Sequence, residues 1–133
     1  MKTLLRQATL AFSAGALGAL VNRGVLVLFG ALQVMEPPEV TKPWLYQALV
    51  WGGLWGFLFL IPWNARWWLR GLVFGLGPSA GVWFVIYPFV RDAGVFGFKL
   101  GFGAALIPLI ANSAWGLAAS AWLEFVREGP PTA

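Results

Sequence analysis

The sequence predicts an all-α integral membrane protein, an antiparallel bundle of four helices that forms one transmembrane domain over residues 1–133. Two observations predict this class. Of the 133 residues, 59% are hydrophobic and only 11% are charged, whereas a water-soluble domain carries about 25% charged residues. The apolar residues also form four long runs, and a membrane-spanning helix needs about 20 predominantly apolar residues.

The four runs predict spans at residues 8–34, 44–62, 67–90 and 95–126. The first follows Lys2 and Arg6, a charge pattern that also begins a signal peptide. Its apolar run continues to Val34, beyond the about 7–15 residues of a typical signal core, so we expect a retained span. Short polar links separate the spans, and short links make neighbouring helices antiparallel.

The basic residues near the span ends predict the orientation. One side would carry Lys2, Arg6, Arg66, Arg70 and Arg127, and the other would carry Lys42, Arg91 and Lys99. This distribution predicts a multi-pass protein with both termini in the cytoplasm. The excess is small, so a dual topology stays open. The net charge of +4 fits insertion bias and contact with anionic lipid headgroups, and we expect no nucleic-acid partner.

Small residues recur every four positions in the spans, as in Gly15 and Ala19 or Gly52 and Gly56. Burial from water cannot drive helices together within lipid, so close backbone approach and interhelical hydrogen bonds must do it. The pattern predicts a tightly packed bundle. It leaves open whether small-residue faces also join separate chains.

Polar residues at membrane depth form the first candidate site, a polar mid-membrane site made of Asn22, Arg23, Asn112 and Pro108. The only acid within a predicted span is Glu124, near the end of the fourth, so Arg23 must extend towards the interface, bond internally or meet an anionic partner. The internal partners would be Asn112 and the carbonyl of Ala104. That carbonyl has no helical donor, because Pro108 lacks a backbone N–H. The two asparagines could join spans one and four or bind a headgroup or ion.

The second candidate site is aromatic. Four tryptophans lie deeper than the interfacial ones and would pack against neighbouring helices or contact an apolar ligand or a partner: Trp51, Trp55, Trp83 and Trp115. The chain has no His and no Cys, so it cannot form a metal or haem site that uses those ligands. The cofactor is left unidentified, and contact with lipid, quinone or pigment fits these side chains.

Several stretches resemble uncharacterised small four-span bacterial inner-membrane proteins. They are AFSAGALGALVN at 11–22, WLY at 44–46, WGGLWGFLFLIP at 51–62 and NSAWGLAASAW at 112–122. The resemblance covers most of the chain and implies a four-span fold in the bacterial inner membrane without implying an activity.

No catalytic residue is predicted, because the chain has no His or Cys and no acid in the interior of a span to offer acid–base or nucleophilic chemistry. We expect a non-enzymatic accessory or structural subunit of a larger membrane complex. It would pack through small-residue helix faces and aromatic side chains, with lipids and a membrane protein or a second copy as partners. The alternative is a small dimeric transporter or channel that uses Asn22, Arg23 and Asn112.

Overall fold

The computed structural model describes residues 1–126, and all regular secondary structure in that range is helical. The main helices are α1 (Lys2–Ala31), α2 (Lys42–Gly56), α3 (Trp67–Gly81) and α4 (Leu106–Val126). Shorter segments extend or connect them: a 3-10 turn at Phe57–Leu60, a π-helix at Val82–Val90, and 3-10 turns at Val95–Leu100 and Phe102–Ala105. The predicted all-α class is confirmed. Arg127, which we assigned to the cytoplasmic side, lies outside the described residues.

Three helices are long and apolar enough to cross a membrane: Lys2–Ala31, Trp67–Val90 and Phe102–Val126. The second predicted span, residues 44–62, is not among them. There α2 has 15 residues and passes into a 3-10 turn of four residues. Three helices therefore support a membrane protein, and the crossing of the membrane by α2 stays a prediction.

Helix α2 begins earlier than residue 44 because Thr41 caps it. The Oγ1 atom of Thr41 accepts a hydrogen bond from the backbone N–H of Trp44 at 3.3 Å, which satisfies one of the donors that a helix leaves free at its start. Pro43 lies in the first turn, where its missing N–H is not needed. The start of α2 is thus fixed by local sequence.

The third predicted span, residues 67–90, coincides with α3 and the π-helix taken together. Pro78 lies inside α3 and Pro88 inside the π-helix. Each proline lacks the N–H that a helical hydrogen bond requires, yet neither ends its helix. The π-helix ends where the N–H of Arg91 donates to the carbonyl of Ile86 at 2.9 Å.

The fourth predicted span, residues 95–126, corresponds to a helix that begins later, at Phe102. Before it, Phe96, Gly97 and Gly101 have positive φ angles of 60°, 72° and 119°, which a right-handed helix does not allow. A Cβ atom at Gly97 would also lie 2.8 Å from the ring of Tyr87. This segment therefore forms separate short turns packed against the π-helix.

Helices α1 and α2 meet through small residues. A Cβ atom at Gly15 would overlap the carbonyl oxygen of Gly52, and one at Gly56 would overlap the carbonyl oxygen of Ala11. Gly52 also lies against the methyl group of Ala19. Rising residue numbers along α1 meet falling numbers along α2, so the two helices run in opposite directions with their backbones in contact.

Helix α4 packs against both α3 and α1. A Cβ atom at Gly116 would overlap the carbonyl oxygen of Gly71, and the Oγ atom of Ser120 donates to the carbonyl of Trp67 at 2.6 Å. On the other side, Gly18 of α1 lies against the backbone and ring of Trp115. The small-residue faces predicted from the sequence are thus used within the chain.

Candidate functional site

The two asparagines predicted for the mid-membrane site lie together. The Nδ2 atom of Asn22, on α1, donates to Oδ1 of Asn112, on α4, at 2.9 Å. Asn112 is buried and Asn22 is half-buried. In lipid such an interhelical bond contributes about 0.6–2 kcal/mol, so this pair joins α1 to α4.

Arg23 follows Asn22 on α1 but has a different partner. Its Nη2 atom donates to the carbonyl of Trp44 at 3.5 Å, and its guanidinium carbon lies 4.6 Å from the centre of the Trp44 ring. The Nε atom is buried and has no hydrogen-bond partner among residues 1–126. Neither Asn112 nor the Ala104 carbonyl, the internal partners considered from the sequence, bonds to Arg23.

Pro108 precedes Asn112 by one helical turn on α4 and lies in the contact between α3 and α4. It deprives the Ala104 carbonyl of its helical donor, and the hydroxyl of Tyr87 takes that place at 2.9 Å. The carbonyl of Pro108 itself faces the buried hydroxyl of Ser79 at 3.4 Å. Pro108 is therefore separate from the cluster of Asn22, Arg23 and Asn112 with which we grouped it.

The four deep tryptophans do not form one surface. Trp115 is buried, and its Nε1 atom donates to the carbonyl of Gly15 at 2.9 Å. Trp83 lies elsewhere, with its Nε1 atom bonded to the carbonyl of Ala105 at 2.9 Å and its ring 5.1 Å from that of Phe96. Trp51 and Trp55 lie on α2, and Trp51 is 62% exposed.

A cavity of about 130 Å³ lies between the helices, and we refer to it as the central cavity. All four main helices line it, through Ala19, Asn22, Arg23, Ala48, Trp51, Gly52, Trp55, Pro78, Asn112 and Trp115. Pockets that enclose organic ligands measure about 300–1,000 Å³. The central cavity is therefore suited to a small polar group and brings together six of the eight residues predicted for the two candidate sites.

The electrostatic environment of the central cavity is positive. Arg23 is the only charged residue in its lining, and no ion pair among residues 1–126 involves Arg23. The acids within that range lie in links or at a helix end, at Glu36, Glu39, Asp92 and Glu124. Asp92 pairs instead with Lys99 at 3.6 Å on an exposed surface.

Sequence reasoning missed three polar contacts between helices, those of Ser79, Tyr87 and Ser120. It also missed Trp44 as the partner of Arg23. The contact of Tyr87 could have been found from the sequence. Pro108 leaves the Ala104 carbonyl without its helical donor, so that carbonyl requires a donor from a neighbouring helix. The third span offers the Tyr87 hydroxyl for that purpose.

Comparison of the chain with family models, with curated proteins and with solved structures finds no match.

Proposed function

We propose that the chain is an integral protein of the bacterial inner membrane that crosses the bilayer four times as an antiparallel bundle, with both termini in the cytoplasm. Adjacent helices with opposite directions support this arrangement. The contacts also place the end of α2 beside the first half of α1, since Gly56 lies against Ala11. In this arrangement α2 accompanies α1 through the membrane and the link at residues 61–66 returns to the cytoplasmic side.

Within that membrane we propose a non-catalytic role as an accessory or structural subunit of a larger complex. One observation carries the proposal: the polar side chains inside the helices are used to hold the helices together. Those that donate to another helix or connecting segment include Asn22, Arg70, Ser79, Trp83, Tyr87, Trp115 and Ser120. Within residues 1–126 the Nε atom of Arg23 is buried without a hydrogen-bond partner, so few polar groups remain for chemistry.

The outer surface supports the same proposal. Large apolar side chains are exposed on all four main helices, and Phe89 and Phe125 reach 82% and 81% exposure. In a membrane this surface meets lipid or another protein. A subunit of this kind would recognise its partner by the shape of its apolar faces, because polar groups on those faces are few.

The experiment is purification of the full chain from its own membrane in a mild detergent, followed by mass measurement. We expect a particle that contains a different membrane protein in fixed ratio to the 14.5 kDa chain. A photo-reactive residue placed at exposed Trp51 should cross-link to that protein, whereas the same residue at buried Ala119 should not. A particle of whole multiples of the chain alone would contradict the proposal.

A second candidate function is a small dimeric transporter or channel, and the central cavity with Arg23 favours it. The test is ion or solute flux through vesicles that contain only the purified chain. Arg23→Leu should abolish that flux while Arg91→Leu, which removes an exposed charge, should preserve it. Equal flux in both variants, or none above empty vesicles in the natural chain, would contradict this alternative.

A further inference from the structure

We infer that the central cavity binds one anionic oxygen group, a carboxylate or a phosphate, through the guanidinium of Arg23. An apolar chain attached to that group would lie in the gap between α2 and α3. This inference concerns only the cavity, so it holds whether or not the chain is a subunit of a larger complex.

The first argument is the incomplete bonding of Arg23. A guanidinium has five N–H donors in a planar fork that matches a carboxylate or phosphate. Within residues 1–126 the only hydrogen bond of the Arg23 side chain is the 3.5 Å contact to the Trp44 carbonyl, and Nε has none. Charges within a membrane pair with opposite charges or with backbone carbonyls; Arg23 has one long bond to a carbonyl, and no acid of the described chain pairs with it.

The second argument is the sign of the local field. Arg23 contacts Trp44, which lies in the first turn of α2, and a helix carries a partial positive charge at its beginning. Lys42 is in the same turn. The two asparagines satisfy each other with one bond, which leaves amide hydrogens of Asn22 and Asn112 available beside the cavity. The charges of Arg23 and Lys42 and the start of α2 favour an anion over a cation, and the amide hydrogens can donate to that anion.

The third argument is the shape of the site. The cavity of about 130 Å³ accommodates a carboxylate or phosphate group but not a large polar molecule. Helices α2 and α3 do not pack along their lengths within residues 1–126. Trp55 of α2 lies against Gly77 and Gly81 of α3. The exposed Trp51, four residues earlier on α2, lines the cavity. The cavity is therefore open sideways between two helices, towards the lipid.

Two sources share this chemistry, a membrane amphiphile and a small dissolved anion. The test uses the full chain in nanodiscs of zwitterionic phosphatidylcholine, with its unfolding midpoint followed by tryptophan fluorescence. A ligand that binds only the folded state raises this midpoint. The probes are sodium oleate, its uncharged analogue oleyl alcohol, sodium acetate and inorganic phosphate.

We expect oleate to raise the midpoint and oleyl alcohol to leave it unchanged. Arg23→Gln should weaken the apparent affinity for oleate by at least about tenfold, the change that corresponds to about 1.4 kcal/mol. Arg91→Gln removes one exposed positive charge and should bind as the natural chain does. Ala48→Leu, which fills the cavity without changing its charge, should also weaken binding and serves if Arg23→Gln fails to fold.

The remaining outcomes separate the sources or reject the site. A response to acetate or phosphate with the same dependence on Arg23 supports a dissolved anion, and a response to oleate alone supports an amphiphile. The inference is wrong if no anion shifts the midpoint, if oleyl alcohol acts as well as oleate, or if a folded Arg23→Gln chain binds oleate with unchanged affinity. If Arg23→Gln does not fold, unchanged affinity in Ala48→Leu likewise contradicts it.

Discussion

Replacement of Gly116 by alanine adds one methyl group where α3 and α4 touch. The new Cβ atom would overlap the carbonyl oxygen of Gly71 and lie 2.8 Å from its carbonyl carbon. These are backbone atoms, which cannot turn aside as a flexible side chain does. The two helices must therefore separate at this point, and the neighbouring hydrogen bond from Ser120 to the Trp67 carbonyl would lengthen with them.

The expected magnitude combines two opposed effects. Insertion of a methyl group into a well-packed contact costs about 1–3 kcal/mol, whereas glycine-to-alanine substitution within a helix gains about 0.5–1 kcal/mol. Gly24 of α1 is the matched control, because a Cβ atom there would meet nothing within 4 Å. Gly24→Ala thus receives the gain alone. We expect Gly116→Ala to be less stable than Gly24→Ala by about 1–3 kcal/mol, which is the cost of the contact.

The assay is the free energy of unfolding in mixed micelles, obtained from the loss of helical circular dichroism as the denaturing detergent fraction rises. Both variants are compared with the natural chain under identical conditions. Equal free energies of unfolding for the two variants, or a more stable Gly116→Ala chain, would refute the proposed close contact between α3 and α4.

Two further predictions use the same assay. Alanine substitution of Asn22 and Asn112, singly and together, should give a coupling free energy of about 0.6–2 kcal/mol, because the two residues share one hydrogen bond between α1 and α4. Additive effects of the two substitutions on the free energy of unfolding would contradict that bond. Tyr87→Phe should destabilise the chain by about 1–2 kcal/mol, since the Ala104 carbonyl loses its donor, whereas Tyr46→Phe at an exposed ring should change stability by less than about 0.5 kcal/mol.

The sequence was sufficient to predict the helical class and part of the packing. Apolar runs separated by short links predict helices directly, since their period and length are local properties. Small residues four positions apart lie on one helix face, and contacts such as Gly15 with Gly52 follow that pattern. The pairing of Asn22 with Asn112 was also accessible, because each amide needs a polar partner within lipid.

Other features depend on the three-dimensional arrangement and could not be predicted. The long side chain of Arg23 can reach several neighbours, and only the position of α2 beside α1 selects the Trp44 carbonyl. The late start of the fourth helix depends on positive φ angles at Phe96 and Gly97, which apolar composition does not reveal. The separation of Trp83 from the central cavity likewise follows from the π-helix that carries it.

The central claim is that four helices cross the membrane, and α2 is the helix that decides it. The chain has no cysteine, so single cysteines can be introduced as Glu39→Cys, before α2, and Asn64→Cys, after it. Labelling of intact cells with a membrane-impermeant maleimide measures the side on which each lies. The account predicts labelling at residue 39 and protection at residue 64 until the membrane is opened. Complete labelling of both residues, or labelling of neither, would show that α2 does not cross.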